Sequence, residues 1–227
     1  MTERLTLAFG DAESVRDLDT FVDRAGAIEN EAVRLKAEGD ILTAWVQVLS
    51  PRGLSDTTPT VLGMRGFALA IPAQLDVVVP IESLRARLSA AATVDGNVIV
   101  TLPATVPSIR WTVTLPPRDG WEITGKVNAS DLEKVTRDGV KEIQKNIPTE
   151  AEERVVRSVR SQIWGANISK KIGLPAGVAF AAVTLGFLGD KTLPVSIRDP
   201  WIRVSSGAGD VVAKRTEVVL DDDPLEQ

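Results

Sequence analysis

Hydrophobic and polar positions divide the chain into short periodic stretches. Leu5, Leu7 and Phe9 alternate with Thr6 and Ala8, which predicts a strand. After Gly10 the period lengthens. Val15, Leu18, Phe21, Val22, Ala25 and Ile28 share one face, and the helical region is predicted from Asp11 to Glu38. Gly26 is a point of division within it, and Gly39 is its expected C-terminal glycine. Ile41 to Leu49 is apolar on both faces, the pattern of a central strand covered on both sides.

Val61–Ile71 and Leu75–Val79 read as two strands separated by Pro72-Ala73-Gln74. Pro80–Ala91 reads as a short helix with Ile81, Leu84 and Leu88 on its apolar face, proline being tolerated at a helix start. The turn signal Asp95-Gly96-Asn97 precedes a strand at 98–102. A hairpin is predicted over 109–127, with Ile109, Trp111, Val113 and Leu115 on one face. Pro116 to Gly120 makes its turn, and Trp121, Ile123 and Val127 resume the apolar face.

Ser130-Asp-Leu-Glu133 is a capping box opening a helix to Ile147, and Thr149 to Glu152 opens a second helix to Trp164-Gly165. Residues 174–188 fit a buried helix, with a strand as the open alternative. Segments at 193–197, 201–205 and 211–215 read as a small antiparallel meander. Strands joined mostly by short loops, with helices inserted, predict an α+β fold. The expected architecture is a mainly antiparallel sheet with helices packed on it, plus a C-terminal helical pair and a small β meander. The expected division is 1–147 as an α+β domain, 148–215 as a helix plus small β module packed on it, and 216–227 as an acidic disordered tail.

Composition changes that picture little. The chain has 227 residues, 44% hydrophobic and 25% charged, which suits a folded protein with a substantial core. No signal-peptide pattern opens the sequence, and no apolar stretch is long enough to span a bilayer. The cytoplasm is therefore the expected location. The net charge is −5, and 126–171 is the net positive block among acidic or neutral neighbours.

Leu174-Pro-Ala-Gly-Val-Ala-Phe-Ala-Ala182, Gly186-Phe-Leu-Gly189 and Trp201-Ile-Arg-Val-Ser-Ser206 resemble the C-terminal part of uncharacterised proteins of actinobacteria. The resemblance covers about 35 residues and implies no activity, cofactor or site residue.

The missing residue types decide more. There is no His, no Cys and no Tyr. That removes the Ser-His-Asp triad, the imidazole base, the thiolate nucleophile, iron–sulfur clusters and the usual zinc ligands. No catalytic residue, cofactor site or metal site is assigned. The absences weigh against an enzyme without deciding the matter. Gly207-Ala-Gly209 lacks the third glycine of a dinucleotide-binding fingerprint, and Gly189-Asp-Lys-Thr192 lacks the glycine spacing of a phosphate loop. The acidic sets Asp17/Asp19/Asp23, Glu150/Glu152/Glu153 and Asp221–Asp223 read as a wet helix face, a helix first turn and a tail.

Two candidate surfaces remain. Lys134, Arg137, Lys141 and Lys145 recur at helical spacing, and Arg154, Arg157 and Arg160 recur on the next helix. Together they would make an anion- or partner-binding face. The competing reading is two solvated helix faces, because Glu150 and Glu153 sit four residues before Arg154 and Arg157. Trp45, Trp111 and Trp121 are the candidates for lining an apolar pocket, against plain core packing. The expected function is a non-enzymatic intracellular binding protein of unknown protein partner, acting through the basic helical face. The alternative is a small-molecule or lipid-like ligand-binding protein, or an enzyme independent of His and Cys, with a pocket between sheet and helices. Nucleic acid is the disfavoured partner, because no aromatic interleaves with the basic residues.

Overall fold

Strand β1 (Thr6–Phe9) leads into helix α1 (Ala12–Gly26), whose start is set by Asp11. The Asp11 Oδ1 accepts a hydrogen bond from the Ser14 amide at 2.7 Å, an N-cap that satisfies one of the four open amides of the first turn. Val15, Leu18, Phe21, Val22 and Ala25 form the buried stripe. The computed structural model describes residues 5–28, 31–51, 58–107, 111, 115–148, 150–169 and 172–214.

The helix does not continue to Glu38. Strand β2 (Ala32–Leu49) begins there and pairs antiparallel with β3 (Val61–Pro80). Val33, Leu35 and Ala37 are fully buried, while Arg34, Lys36 and Glu38 point to the other face. That is period two. Helix-favouring Lys, Ala and Glu disguise it in the sequence, and pairing with β3 overrides their propensity. Gly39, with φ +68°, is not a helix terminus but sits where the ladder shifts register. On the β3 side residues 69–72 are looped out of register, so the two expected strands are one, with Pro72 at the irregularity.

Helix α2 (Ile81–Ser89) and strands β4 (Ala92–Val94) and β5 (Asn97–Thr101) complete the first half. Asp95 (φ 49°) and Gly96 (φ 82°) form the two-residue hairpin turn, whose left-handed conformation favours glycine. β1, β5 and β4 make a three-stranded sheet in that order.

The second half comprises β6 (Glu122–Asn128), α3 (Ala129–Asn146), α4 (Glu153–Gly165), β7 (Asn167–Ser169), β8 (Leu174–Pro175), α5 (Ala176–Thr184), β9 (Thr192–Arg198), β10 (Trp201–Ser206) and β11 (Gly209–Lys214). The larger sheet runs β2-β3-β11-β10-β9-β6, entirely antiparallel. The expected architecture is corrected here. The meander β9–β11 is not a small separate module, because β11 pairs with β3 and places it at the centre of a sheet shared by both halves. The C-terminal helices are not a pair either, since α3 and α4 both pack on α5. β2 is not a central strand but the end of the sheet. Ile41 is 42% exposed, while Leu42, Ala44, Val46 and Val48 face the core.

α5 is the inner helix. It carries Ala176, Gly177, Val178, Ala179, Ala181 and Ala182, all buried against the sheet. Small residues allow this closeness. A Cβ at Gly177 would collide with Leu49, and one at Gly63 of β3 would collide with Leu185. Trp164 of α4 then wedges between α3 and α5. It stacks on Phe180 with centroids 4.7 Å apart, and Gly139 of α3 leaves room for its ring. Phe21 of α1 stacks on Phe187 at 6.0 Å, and Arg24 donates to the Leu185 carbonyl at 3.0 Å, which joins the two halves.

The predicted hairpin over 109–127 is corrected where it can be seen. Residues 108–110 and 112–114 lie outside the described residues, as does Thr149 of the second capping box. Trp111 and Leu115 are not in a strand, and β6 pairs with β9. Ile123 is not on a buried face but 74% exposed. α3 starts at Ala129, one residue ahead of the expected capping serine. The Asn128 side-chain amide donates to Asp131 Oδ2 at 2.9 Å. The acidic segment 216–227 also lies outside the described residues. Among the described residues, no helix is long and apolar enough to cross a membrane.

Candidate functional sites: a basic helical ridge and an apolar groove

The core fixes which side of α3 faces outward. Leu132, Thr136 and Gly139 are buried. At 3.6 residues per turn, Lys134, Arg137, Lys141 and Lys145 fall on the opposite side, and all four are exposed. None forms an ion pair with another described residue. Asp138 lies against this ridge, four residues beyond Lys134 and three before Lys141, and Glu133 and Glu142 flank it.

α4 does not add a second open stripe. Arg157 is held by Glu153 at 2.6 Å, and Arg160 is half-buried and already partnered. Arg154 is exposed. The structure therefore separates the seven expected cations into a clear quartet on α3 and a compromised trio on α4. The acidic set of α1 is spent on structure. Asp17 pairs with Arg65, and Arg85 bridges Asp19 at 3.1 Å and Asp23 at 2.7 Å. Among the described residues, no group of three or more His, Cys, Asp or Glu side chains is placed to hold a metal.

The second site lies on the face of the large sheet turned away from the helices. The chain from 115 to 121 crosses β2, β3, β10 and β11 there and leaves a groove of about 450 Å³. Ile41, Trp45, Met64, Leu115, Pro116 and Val212 line its apolar part. Trp121 and Arg203 close one side, with the guanidinium 4.5 Å from the indole centroid. Both indole N–H groups are satisfied. Trp45 donates to Thr43 Oγ1 at 3.2 Å, and Trp121 donates to the Pro117 carbonyl at 3.0 Å.

Lys36, Glu38 and Arg118 stand at the rim, and Glu38 takes both cations, at 2.6 and 2.8 Å. The Lys36 ammonium, and then Arg118, hold the Glu38 carboxyl below its ordinary range. Arg203 Nε is buried and has no hydrogen-bond partner among the described residues. Asp210 lies on the same sheet face, opposite Ser205 and Met64. Burial pushes its carboxyl up, against the opposing pull of Ser205 and Arg203.

Of the three expected pocket tryptophans, the groove brings Trp45 and Trp121 together. Trp111 is buried and does not line it. The groove is also not between sheet and helices, as the alternative reading expected. Residues Met64, Arg203 and Val212 were missed from sequence. The alternation of Arg203 with Ile202 and Val204, both buried, was the signal available for one of them.

Residues 1–111 match the model of a domain of unknown function (DUF8010), and residues 116–218 match another (DUF8185). Between them they cover nearly all of the chain, which is consistent with an uncharacterised family. No curated protein matches the sequence. Among solved structures, the putative DNA polymerase III beta subunit of Eubacterium rectale ATCC 33656 is similar with a TM-score of 0.53 at 12% identity. The match covers 93% of this chain and 65% of that one. The DNA polymerase sliding clamp of Caulobacter crescentus is similar with a TM-score of 0.50 at 14% identity, over 97% and 67%.

The chain has a sliding-clamp-like fold. It spans about two thirds of the length of those clamp chains. This likeness overturns three expectations. The fold is not a sheet domain with an appended helical pair and meander. The functional reading, an unspecified binding protein with a small-molecule or lipid-like ligand, or an enzyme, as alternative, is not what this fold likeness supports. The expectation that nucleic acid is a disfavoured partner is not supported.

Proposed function

We propose that this chain is a clamp-like protein that holds DNA against its helical layer and engages protein partners, without catalysing a reaction. The observation that carries the reading is the clamp-like fold over 93% of the chain. The α3 ridge supports it. Lys134, Arg137, Lys141 and Lys145 are exposed cations on one helical side, which suits binding to phosphates at intervals along a duplex. No aromatic side chain accompanies them, so the binding would be sequence-independent and strongly dependent on salt. A net charge of −5 keeps the protein as a whole from attracting DNA, so binding depends on this ridge. Such a protein would work in the cytoplasm.

Fluorescence anisotropy with a short duplex at rising salt tests the reading. The expected result is weak binding at low salt, with log K falling linearly against log salt. Removing one phosphate-binding cation should make that slope shallower by about 0.9. Combined Lys134→Glu, Lys141→Glu and Lys145→Glu should abolish binding and leave the fold intact. Binding that survives the triple reversal would remove α3 from the interface. No binding to the native protein at low salt would end the DNA reading.

A further inference from the structure

The five tryptophans of the chain divide by exposure. Trp111, Trp164 and Trp201 are buried. Trp45 and Trp121 are half-buried, and both line the groove on the far side of the large sheet. Their N–H groups are already met by Thr43 and by the Pro117 carbonyl, so the rings offer flat faces rather than donors. Lys36, Arg118 and Arg203 stand beside them, against one lining carboxylate, Glu38. The Arg203 guanidinium lies over the Trp121 ring, and its buried Nε–H has no acceptor among the described residues, although a buried guanidinium N–H ordinarily has one.

Half-wetted indoles beside cations call for an occupant with planar apolar faces and anionic groups. The side-chain acceptors Thr43 and Glu38 are already engaged, Thr43 by the Trp45 N–H and Glu38 by Lys36 and Arg118. A peptide would bring backbone N–H groups that need acceptors when buried. A single nucleic-acid strand brings the reverse, with bases that stack on aromatic rings and phosphates that accept hydrogen bonds. A duplex keeps its bases stacked on one another and meets proteins through phosphates and base edges. At about 450 Å³, the groove lies within the roughly 300–1,000 Å³ of clefts that hold organic ligands.

We propose that this groove is a second nucleic-acid site, one that takes a single strand, with unstacked bases against Trp45 and Trp121 and phosphates at Arg203, Arg118 and Lys36. It goes beyond the duplex reading and does not depend on it, because α3 lies on the other side of the sheet. Stacking accepts any base, so the groove is tolerant of sequence. Nearby charges are mixed: Glu38 holds Lys36 and Arg118, Asp76 faces Lys36 across the ladder, and Asp210 pulls on Arg203. Stacking therefore carries most of the affinity, and the cations add a part that weakens as salt rises.

Titration of the full chain with a short oligothymidylate, read by tryptophan emission and by the anisotropy of a labelled strand, tests the proposal. The expected result is binding at low salt that quenches indole emission. Trp45→Leu and Trp121→Leu should each weaken it about tenfold, and Arg118→Ala should make the salt slope shallower by about 0.7. An abasic strand of the same length carries the phosphates without the bases. It should bind far more weakly and leave the emission unchanged; equal binding of the two strands by the native protein overturns the proposal. Affinity that survives both tryptophan substitutions also overturns it, as does loss of binding in the triple α3 reversal alone. A leucine-rich acidic peptide that quenches the indoles where oligothymidylate does not would make the groove a protein-docking surface and sink the proposal. Oligouridylate in a parallel titration tells RNA from DNA as the strand. Duplex binding that fails while strand binding holds removes the α3 reading alone, and the converse removes the groove alone.

Discussion

The two halves of the helical layer solve the same packing problem differently. In the first half, α1 buries a stripe of apolar side chains, and its Asp17, Asp19 and Asp23 are tied to Arg65 and Arg85. In the second half, α3 buries a small patch of Leu132, Thr136 and Gly139, and one tryptophan fills the space between three helices. The cations of α3 stand on the opposite side with no ion pair among the described residues. Charge that is committed to neighbouring elements holds a fold together, while charge that points away from the core is available to a ligand. The second half is thus the face proposed for binding, and its helices pack through small residues around one tryptophan.

The strongest way to break this comparison is Trp164→Ala. It removes the wedge from between Gly139 and Phe180, and such truncations cost about 3–5 kcal/mol. Denaturant unfolding should show that loss. A change below about 1 kcal/mol, a small fraction of the usual cost, would mean that the α3–α4–α5 core is not organised around the indole. Next in size is Gly63→Val, which overpacks β3 against Leu185 and should cost about 1–3 kcal/mol by the same measurement. A stabilising result would show that α5 can move off the sheet.

A smaller effect is expected in the first half. Arg85→Ala releases Asp19 and Asp23, and partly exposed pairs of this kind are worth about 0.2–1 kcal/mol. A thermal shift as large as that of Trp164→Ala would erase the contrast between the halves. The smallest effect depends on pH. The folded state raises the Asp210 pKa above its ordinary 3.8, mainly by burial, so folding favours the protonated carboxyl. That contribution is fully present below 3.8 and is lost as pH rises through the folded pKa. Asp210→Asn should therefore be nearly neutral at the acid end and stabilising near neutral pH, as unfolding curves under both conditions would show. The opposite trend would mean that Arg203 outweighs burial.

The legible parts of the chain were those decided within a few residues. Asp11 and the stripe from Val15 to Ala25 specify α1, and Asp95-Gly96 specifies the turn between β4 and β5. The spacing of Lys134, Arg137, Lys141 and Lys145 was enough to put them on one side of a helix. Ala32–Glu38 was misread because its composition suits a helix and its partner strand, β3, is remote in sequence. Trp111 and Trp121 looked equivalent beside one turn, but one is buried elsewhere and the other stacks under Arg203.

By itself, the sequence determined where several helices and turns begin, which side of α3 is charged, and which catalytic chemistries have no side chain to perform them. Local spacing and residue type suffice for those, because each depends on interactions within one or two turns of chain. Only the tertiary structure decided that β11 joins β3, that both halves share one sheet, and that Arg203, Met64 and Trp45 border a common groove. Those arrangements depend on pairings between distant segments. Such pairings are chosen by the packing of the whole core, and no short stretch of sequence records that choice.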